Sequence, residues 1–314
     1  MLDRPACLIV ASDAEKLAEE IARRSDTPIP VTSCPSAASA LREYTDETVV
    51  FGDPTMIGAV LQDLPTVDWV QSSWAGIAPL MRHPRRDYVL TGIKDVFGAQ
   101  MSEFVLGYLL AHELRILTRN AAQQQRNWLK NSSGMLQGKR LGIMGTGSIA
   151  RHIANTAATF GLTCVGLSRS GAASPSFEHV WPVAQLHPFL EQCDYLVSTL
   201  PQTPETDRLL DGAALGHLPP HAYFVNVGRS NVVDDTALID ALQHGRLAGA
   251  ALDVFDQEPV ARDSPLWDTT GLSMTAHVAA ISHPQLIAPV FVDNYRRYTK
   301  KQPLKYVIDF DAGY

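Results

Sequence analysis

Three side chains far apart in the sequence have the chemistry needed to hold a carboxylate and move a proton. Arg229 carries a guanidinium, which stays charged and binds carboxylates through two parallel hydrogen bonds. His277 carries an imidazole, which titrates near neutral pH and can give or accept a proton. Glu258 is the candidate for a carboxylate that orients the imidazole and favours its charged form. Together they predict acid–base chemistry on a small substrate that bears a carboxylate.

Each of these assignments has an alternative that the residues leave open. The arginine could pair with Asp234 or Asp235 and hold a turn. Glu258 could be a loop carboxylate in solvent, and the nearby His283 competes for the role of the acid. The assignment of Arg229, Glu258 and His277 therefore needs support from where these residues lie relative to the predicted strands.

Polar residues follow several successive predicted strands at the point where each strand ends. They are Leu200-Pro201-Gln202-Thr203-Pro204, Asn226-Val227-Gly228-Arg229-Ser230, Asp253 and His277. Ligands of doubly wound sheets bind outside the carboxyl ends of the strands. Any one of these residues could simply belong to a polar loop, but the whole set predicts a binding site along one sheet edge.

The segment from Arg140 to Ala150 predicts a turn that holds the phosphates of a dinucleotide. Its sequence is typical of a buried strand, a glycine turn and the start of a helix, in the pattern Gly145-x-Gly147-x-x-Ala150. The free N–H groups at such a helix start face the phosphates. The residues expected to contact the cofactor here are Gly145, Thr146, Gly147, Ser148 and Ile149.

The end of the next predicted strand bears on the choice of cofactor. Sites selective for NAD place an acidic residue about 20 residues after the glycines, where it holds the ribose 2′-hydroxyl. This strand ends instead in Ser168-Arg169-Ser170, with no acid. An arginine flanked by hydroxyls suits a 2′-phosphate, so we expect NADP(H) to be preferred over NAD(H). The alternative is a surface arginine, with NAD held by other contacts.

The order of predicted elements indicates two α/β domains. Strands and helices alternate through residues 1–97, a long amphipathic helix is predicted from Gly98 to Arg119, and about six strands follow. A helix at 286–298 and a short strand at 306–308 are predicted to return to the first domain. We therefore expect a domain of 1–97 with 285–314 and a dinucleotide-binding domain of 98–284.

Composition narrows the possible partners. The chain has 314 residues, of which 46% are hydrophobic and 19% charged, and a formal net charge of -7. This balance argues against a nucleic-acid partner, and no apolar run approaches the about 18 residues of a membrane span. Cys164 and Cys193 are expected to be buried thiols, and the cysteine spacing indicates no metal site and no disulfide framework. We expect a cytoplasmic protein.

Several motifs, in order and at the family's spacing, resemble the D-isomer-specific 2-hydroxyacid dehydrogenases. The matching pieces are the glycine turn, Leu200-Pro201-x-Thr203-Pro204-Glu205-Thr206, Asn226-x-Gly228-Arg229, Gly249-Ala250-Ala251-Leu252-Asp253-Val254-Phe255, Glu258-Pro259, the late His277, and more weakly Ser72-Ser73-Trp74-Ala75-Gly76-Ile77 and Gln100-Met101-Ser102-Glu103-Phe104-Val105. The sequence is most similar to the short glyoxylate/hydroxypyruvate reductases. It departs from the family pattern at Gln202 and Ser230, neither of which removes a catalytic group.

The resemblance implies a fold and a reaction. It implies two Rossmann-like domains with doubly wound parallel sheets, the dinucleotide-binding domain being inserted in a smaller flavodoxin-like substrate domain. It implies a homodimer that reduces a small 2-keto acid to the D-2-hydroxy acid, with the site in the cleft between the domains. The same three catalytic roles fall on Arg229, Glu258 and His277. Further implied contacts are Leu200, Pro201, Val227, Gly228 and Asp253 with the cofactor, the last near its nicotinamide, and Trp74, Ala75 and Gly76 with the substrate carboxylate.

Two other functions remain open at this point. The same family includes corepressor-like scaffolds that bind the dinucleotide and recruit partners, and such a protein could keep all three catalytic residues. Formate and phosphite dehydrogenases share the fold, but the missing acid after the second strand fits them poorly. An assay of cofactor oxidation with 2-keto acids separates these interpretations.

Overall fold

Two separate parallel sheets organise the chain. A computed structural model describes residues 4–311, which form a smaller unit of residues 4–96 with 282–311 and a larger unit of residues 97–281. The predicted domain boundaries, 97/98 and 284/285, lie close to this division, and the predicted ends at 1–3 and 312–314 lie outside the described residues. No helix in the described range is long and apolar enough to cross a membrane.

The smaller unit contains a five-stranded parallel sheet in the order β2-β1-β3-β4-β5. This is the flavodoxin-like order predicted for the substrate domain. Its strands are β1 Cys7–Val10, β2 Val31–Cys34, β3 Val49–Gly52, β4 Trp69–Ser72 and β5 Val89–Thr91. Its helices in this part of the chain are α1 Ala14–Arg24, α2 Ala37–Glu43, α3 Pro54–Val60 and α4 Ala78–Arg82.

The larger unit contains a seven-stranded parallel sheet in the order β12-β11-β10-β9-β6-β7-β8. The strands are β6 Arg140–Met144, β7 Thr163–Ser168, β8 His179–Pro182, β9 Tyr195–Ser198, β10 Tyr223–Asn226, β11 Gly249–Leu252 and β12 Leu272–Met274. The helices are α5 Gly98–Glu113, α6 Ile116–Gln124, α7 Ser148–Ala158, α8 Leu186–Leu190, α9 Gly212–Leu215 and α10 Asp235–Gln243. The chain order reverses between β6 and β9, which is where a doubly wound sheet opens its ligand crevice.

Helices cover both faces of the larger sheet, so its strands are apolar on both sides. Neighbouring strand residues enter opposite clusters: Leu196 and Phe224 pack on one face, and Val197 and Val225 on the other. This burial explains why the strand interiors are continuous hydrophobic runs in the sequence. The thiols lie within these layers, and burial raises the pKa of both Cys164 and Cys193 to about 12, so neither is a thiolate near neutral pH.

The predicted helix from Gly98 to Arg119 is wrong as a single element. α5 ends at Glu113, and α6 begins at Ile116. Arg115 lies between them in the left-handed conformation, with a φ of 52°, and this breaks the run of helical hydrogen bonds. The apolar periodicity that predicted one helix continues across the break and does not register it.

The chain returns to the smaller sheet through α11, Pro284–Thr299. Phe291 of this helix stacks on Phe51 of the sheet, with ring centroids 4.6 Å apart, and on Trp69 at 5.6 Å. The predicted strand at 306–308 is only an isolated bridge between Val307 and Thr91. Tyr306, with a φ of 58°, is left-handed and cannot extend the pairing.

A half-buried carboxyl at the start of α10 gives the fold a testable dependence on pH. Burial, and then the charges of Asp256 and Asp234, raise the pKa of Asp235 from 3.8 to about 6. The folded state therefore binds this proton more tightly than the unfolded state does. The resulting stabilisation is present at about pH 4 and is lost as the pH rises through about 6.

We expect Asp235→Asn to be more stable than the wild type at pH 8, with a melting temperature higher by about 2–4 °C. The gain should shrink toward zero as the pH falls to about 4. Differential scanning fluorimetry across this range measures it, with Asp263→Asn, a substitution at an exposed site, as the control. An equal gain at both ends of the range would contradict the assignment.

Candidate active site

The predicted phosphate turn lies between β6 and α7. Gly145 has a φ of 100°, which favours glycine, and a Cβ there would lie 2.7 Å from Thr199 Oγ1. Gly147 faces open space, since a Cβ there would meet no atom within 4 Å. α7 begins at Ser148 with no side-chain cap, and Ala150 is fully buried against the sheet. The strand, turn and helix thus supply a space with uncapped N–H groups, which fits a pyrophosphate.

The loops after β9 and β10 meet backbone to backbone beside this turn. A Cβ on Gly228 would lie 2.7 Å from the carbonyl oxygen of Leu200, so only glycine allows this approach. Asn226 is buried and braces the second loop, because its Oδ1 accepts from Gly228 N (3.1 Å) and its Nδ2 donates to the Arg229 carbonyl (3.0 Å). The structure therefore brings Leu200 and Pro201 next to Val227 and Gly228 along one edge.

The end of β7 carries the residues predicted to select the cofactor. Ser168 Oγ accepts from Gly171 N at 3.0 Å, which closes a tight turn after the strand. The pKa of Glu205, in the loop after β9, is lowered by hydrogen bonds from its own backbone amide and from the Thr203 hydroxyl. The positive charge of Arg169 lowers it further. Arg169 is therefore close enough to the loop after β9 to interact electrostatically with Glu205. Thr146 packs against Gly166 of β7, where an added Cβ would lie 3.0 Å from its Cγ2.

Arg229 is partly buried at the end of the β10 loop. Its Nη1 donates to the Gly228 carbonyl at 2.7 Å. Burial lowers the pKa of its guanidinium, and the charge of Glu258 opposes that shift, so the two groups sense each other. The alternative pairing with Asp234 is not formed, since Asp234 caps α10 through Ala237 N (3.0 Å) and lies 3.7 Å from Arg208.

His277 and Glu258 are in direct contact although 19 residues separate them. His277 Nδ1 lies 2.9 Å from Glu258 Oε2, and Glu258 Oε1 accepts from Phe255 N at 3.0 Å. The carboxylate is thus fixed at one oxygen and holds the ring with the other. With Nδ1 donating to the carboxylate, Nε2 is the nitrogen turned away from it. The competing His283 lies at the start of α11, in the smaller unit.

Asp253 holds the loop that carries His277. Its side chain is buried and accepts three hydrogen bonds, from Thr275 Oγ1 (2.6 Å), Val278 N (2.8 Å) and Ala279 N (2.9 Å). Its carbonyl accepts a fourth, from His277 N at 2.9 Å. His277 is left-handed, with a φ of 55°, a conformation that persists only where surroundings impose it. The contacts of Asp253 thus serve the histidine loop, and its role toward the nicotinamide stays a prediction.

In the smaller unit, the predicted substrate loop follows β4. Ser72 Oγ donates to the Trp74 carbonyl (3.0 Å) and accepts from Trp74 N (3.1 Å), which curls the chain into a tight turn. The Trp74 side chain is 42% exposed. The loop runs through Ala75 and Gly76 at the carboxyl end of this sheet, the edge where ligands of such folds bind.

Sequence reasoning overlooked Thr275 and named Asn226 only as part of a motif, without a role. Asn226 holds a backbone turn, and Thr275 donates a hydrogen bond to a carboxylate. Both are polar residues at or just after a strand end, so the signal that indicates Arg229 is present for them too.

Comparison with known proteins places the chain among characterised relatives. Residues 106–279 match the model of the family described as D-isomer specific 2-hydroxyacid dehydrogenase, NAD binding domain. Glyoxylate/hydroxypyruvate reductase A of Salmonella newport (strain SL254) is 31% identical over 217 residues, which cover 69% of this chain and 70% of that protein. The reductase of the same name from Serratia proteamaculans (strain 568) is 31% identical over 215 residues, 68% of this chain and 69% of its own.

Solved structures agree over nearly the whole chain. A D-isomer specific 2-hydroxyacid dehydrogenase family protein from Aeromonas salmonicida subsp. salmonicida A449 has a TM-score of 0.93 and 36% identity, covering 98% of this chain and 100% of its own. The NADPH-dependent glyoxylate/hydroxypyruvate reductase from Sinorhizobium meliloti, solved with NADP and sulfate, has a TM-score of 0.88 and 26% identity, covering 99% and 100%. The predicted fold class is confirmed.

The Asp253 brace predicts a specific effect of an isosteric substitution. In Asp253→Asn one oxygen can still accept, but the new NH2 group would face the N–H of Ala279, which leaves a buried donor unpaired. We expect a loss of about 1–3 kcal/mol in the free energy of unfolding. Urea denaturation measures it, with Thr275→Val, which removes a single donor, expected to cost less. Equal stability of Asp253→Asn and the wild type would contradict the brace.

Proposed function

We propose a specific reaction for this chain, which belongs to the D-isomer-specific 2-hydroxyacid dehydrogenase family and is an NAD(P)-dependent oxidoreductase. The reaction is the reduction of a small 2-keto acid, of the glyoxylate or hydroxypyruvate type, to the D-2-hydroxy acid, with NADPH as the preferred cofactor. The observation that carries the proposal is the His277–Glu258 pair, 2.9 Å apart, with His277 on a loop braced by Asp253 and Glu258 within electrostatic range of Arg229.

Arg229 binds the substrate carboxylate. A guanidinium offers two parallel N–H donors to a carboxylate, which fixes the orientation of the substrate as well as its position. Partial burial strengthens this attraction, because the charges interact through less water. Asn226 holds the backbone of Arg229, and the bond to the Gly228 carbonyl holds its guanidinium, before any substrate arrives.

His277 delivers the proton to the carbonyl oxygen as it becomes a hydroxyl. Nε2 points away from Glu258 and is the nitrogen available to the substrate. Glu258 keeps the ring in one orientation, and the protonated ring is the form that donates. In the reverse reaction the neutral ring accepts the proton from the hydroxy acid.

The turn from Gly145 to Ile149 fits a dinucleotide, which when bound supplies the hydride. Gly145, Thr146, Gly147, Ser148 and Ile149 would surround the pyrophosphate at the start of α7, with Leu200, Pro201, Val227 and Gly228 along the same edge. Asp253, as the residue between that edge and His277, would set the distance between the nicotinamide end and the proton donor.

The preference for NADPH rests on Ser168, Arg169 and Ser170 at the end of β7. This segment has no carboxylate of its own to meet the ribose 2′-hydroxyl, and its guanidinium would pair with a 2′-phosphate. A relative solved with NADP, from Sinorhizobium meliloti, is named as NADPH-dependent, which supports the same preference here.

Two further parts of the proposal lie outside the catalytic trio. The loop of Trp74, Ala75 and Gly76 would contact the substrate carboxylate through the backbone N–H groups of Ala75 and Gly76, since the Trp74 N–H already donates to Ser72 Oγ. We also propose a homodimer through the segment 114–135. Its Leu117, Trp128 and Met135 are 62%, 85% and 66% exposed, and large exposed apolar side chains suit a contact with a second chain.

A panel of 2-keto acids tests the reaction. With NADPH, the wild type should oxidise the cofactor in the presence of glyoxylate or hydroxypyruvate. Glu258→Gln, which keeps the size of the side chain and removes its charge, should lower kcat by about 10- to 100-fold. Failure of the wild type to turn over any keto acid, while it still binds NADPH, would favour the scaffold interpretation instead.

The proposed contact between Arg169 and the 2′-phosphate predicts how the KM values for NADPH and NADH respond to a substitution. We expect Arg169→Ala to raise the KM for NADPH by about tenfold or more, since a charge-assisted contact with the phosphate is lost, and to leave the KM for NADH nearly unchanged. Steady-state kinetics with both cofactors measures the two values, and Arg151→Ala, on the exposed side of α7, is the control. A parallel rise in both KM values would contradict a phosphate contact.

A further inference from the structure

The histidine loop is held at its far end by a side chain from a distant part of the larger unit. Gln100 Oε1 accepts from Ile281 N at 3.0 Å, and Gln100 Nε2 donates to the Ile281 carbonyl at 3.0 Å. The amide therefore pairs with both polar groups of one residue, as a neighbouring strand would. The two residues stand 181 positions apart, near the first and last positions of the larger unit.

The Gln100–Ile281 pair fixes the end of the histidine loop, residues 275–281, which the contacts of Asp253 do not reach. Residues 275–281 contain no helix or strand, and the backbone amides of Thr275, His277, Val278 and Ala279 bond to residues 252–253. Ile281 N is the amide in this stretch that bonds elsewhere. Asp253 thus fixes the loop from 275 to 279, and Gln100 fixes its end.

Gln100 stands on an element that is itself fixed. It is the third residue of α5, a helix that packs on α7. Ser102 Oγ lies 2.8 Å from His152 Nδ1 of α7, and Gly98 lies so close to the same ring that a Cβ would approach its carbons to 2.6 Å. A rigid support is what a positioning side chain requires.

We propose that Gln100 is a positioning residue for His277, acting through the backbone of Ile281. It does not touch the reacting atoms. Its pair of hydrogen bonds keeps the loop from shifting along its length, so that Nε2 of His277 stays at a fixed place while Glu258 fixes the ring's rotation. The proposal rests on the proposed function, in which His277 is the proton donor.

Gln100→Met tests the proposal, because methionine has a similar length and shape but neither donor nor acceptor. We expect kcat with hydroxypyruvate to fall about tenfold, since a loosened loop misplaces the donor by a fraction of an ångström. The Kd for NADPH, measured by fluorescence, should change by less than about twofold. Gln185→Met, a change of the same size at an exposed site, is the matched control and should alter neither.

Hydrogen exchange with mass spectrometry reads the loop without turnover. In Gln100→Met, peptides that span 275–281 should exchange faster, and peptides of the core strands should not. Gln100→Glu is the second variant: its carboxylate can still accept from Ile281 N but repels the Ile281 carbonyl, so it should protect the loop only in part. Its exchange should lie between the wild type and Gln100→Met.

Two results would overturn the proposal. Unchanged exchange over 275–281 in both Gln100 variants would show that the side chain does not hold the loop. Faster exchange there with an unchanged kcat would show that the hold does not position His277. A wild type inactive toward every keto acid would refute the proposed function alone, because the exchange experiment still reports whether Gln100 clamps the loop.

Discussion

The placement of His277, the proposed proton donor, depends on one buried carboxylate. Asp253 lies at the end of β11 and is 2% exposed, so its charge has lost its water and must be matched by donors. The hydroxyl of Thr275 and the N–H groups of Val278 and Ala279 supply them. The sheet edge and the histidine loop are therefore bound together, because separating them would leave the buried Asp253 carboxylate without donors. His277 takes its left-handed conformation within that frame.

Glycine shapes the edge proposed to bind the cofactor. Gly228 lets the loops after β9 and β10 touch at their backbones, and Gly145 turns the chain beneath them. A side chain at either place would push the loops apart and remove the space that fits a pyrophosphate. The two halves of the site thus use opposite devices. Close approach of backbones shapes the edge at the glycine turn, whereas charge matching fixes the histidine loop.

Much of this could be predicted from the sequence, where short-range patterns decide the structure. The helix predicted at 286–298 lies within α11, Pro284–Thr299, and the glycine turn lies between a strand and a helix as expected. Contacts set by distant residues were not predicted. The left-handed Arg115 divides α5 from α6 without interrupting the apolar pattern. The strands Val31–Cys34 and His179–Pro182 are short and partly exposed, so they lack the continuous apolar run that predicts a buried strand. The Gln100–Ile281 pair joins residues 181 positions apart, and no local pattern indicates it.

The stereochemistry of the product tests the central claim most directly. The proposed site has one fixed cation for the carboxylate and one fixed imidazole for the carbonyl oxygen, so the hydride can reach only one face of the substrate. Chiral chromatography of the product of hydroxypyruvate and NADPH should give D-glycerate, and His277→Asn should give it more slowly by about 100-fold or more. L-glycerate from the wild type, or D-glycerate at an undiminished rate from His277→Asn, would contradict this assignment of the site.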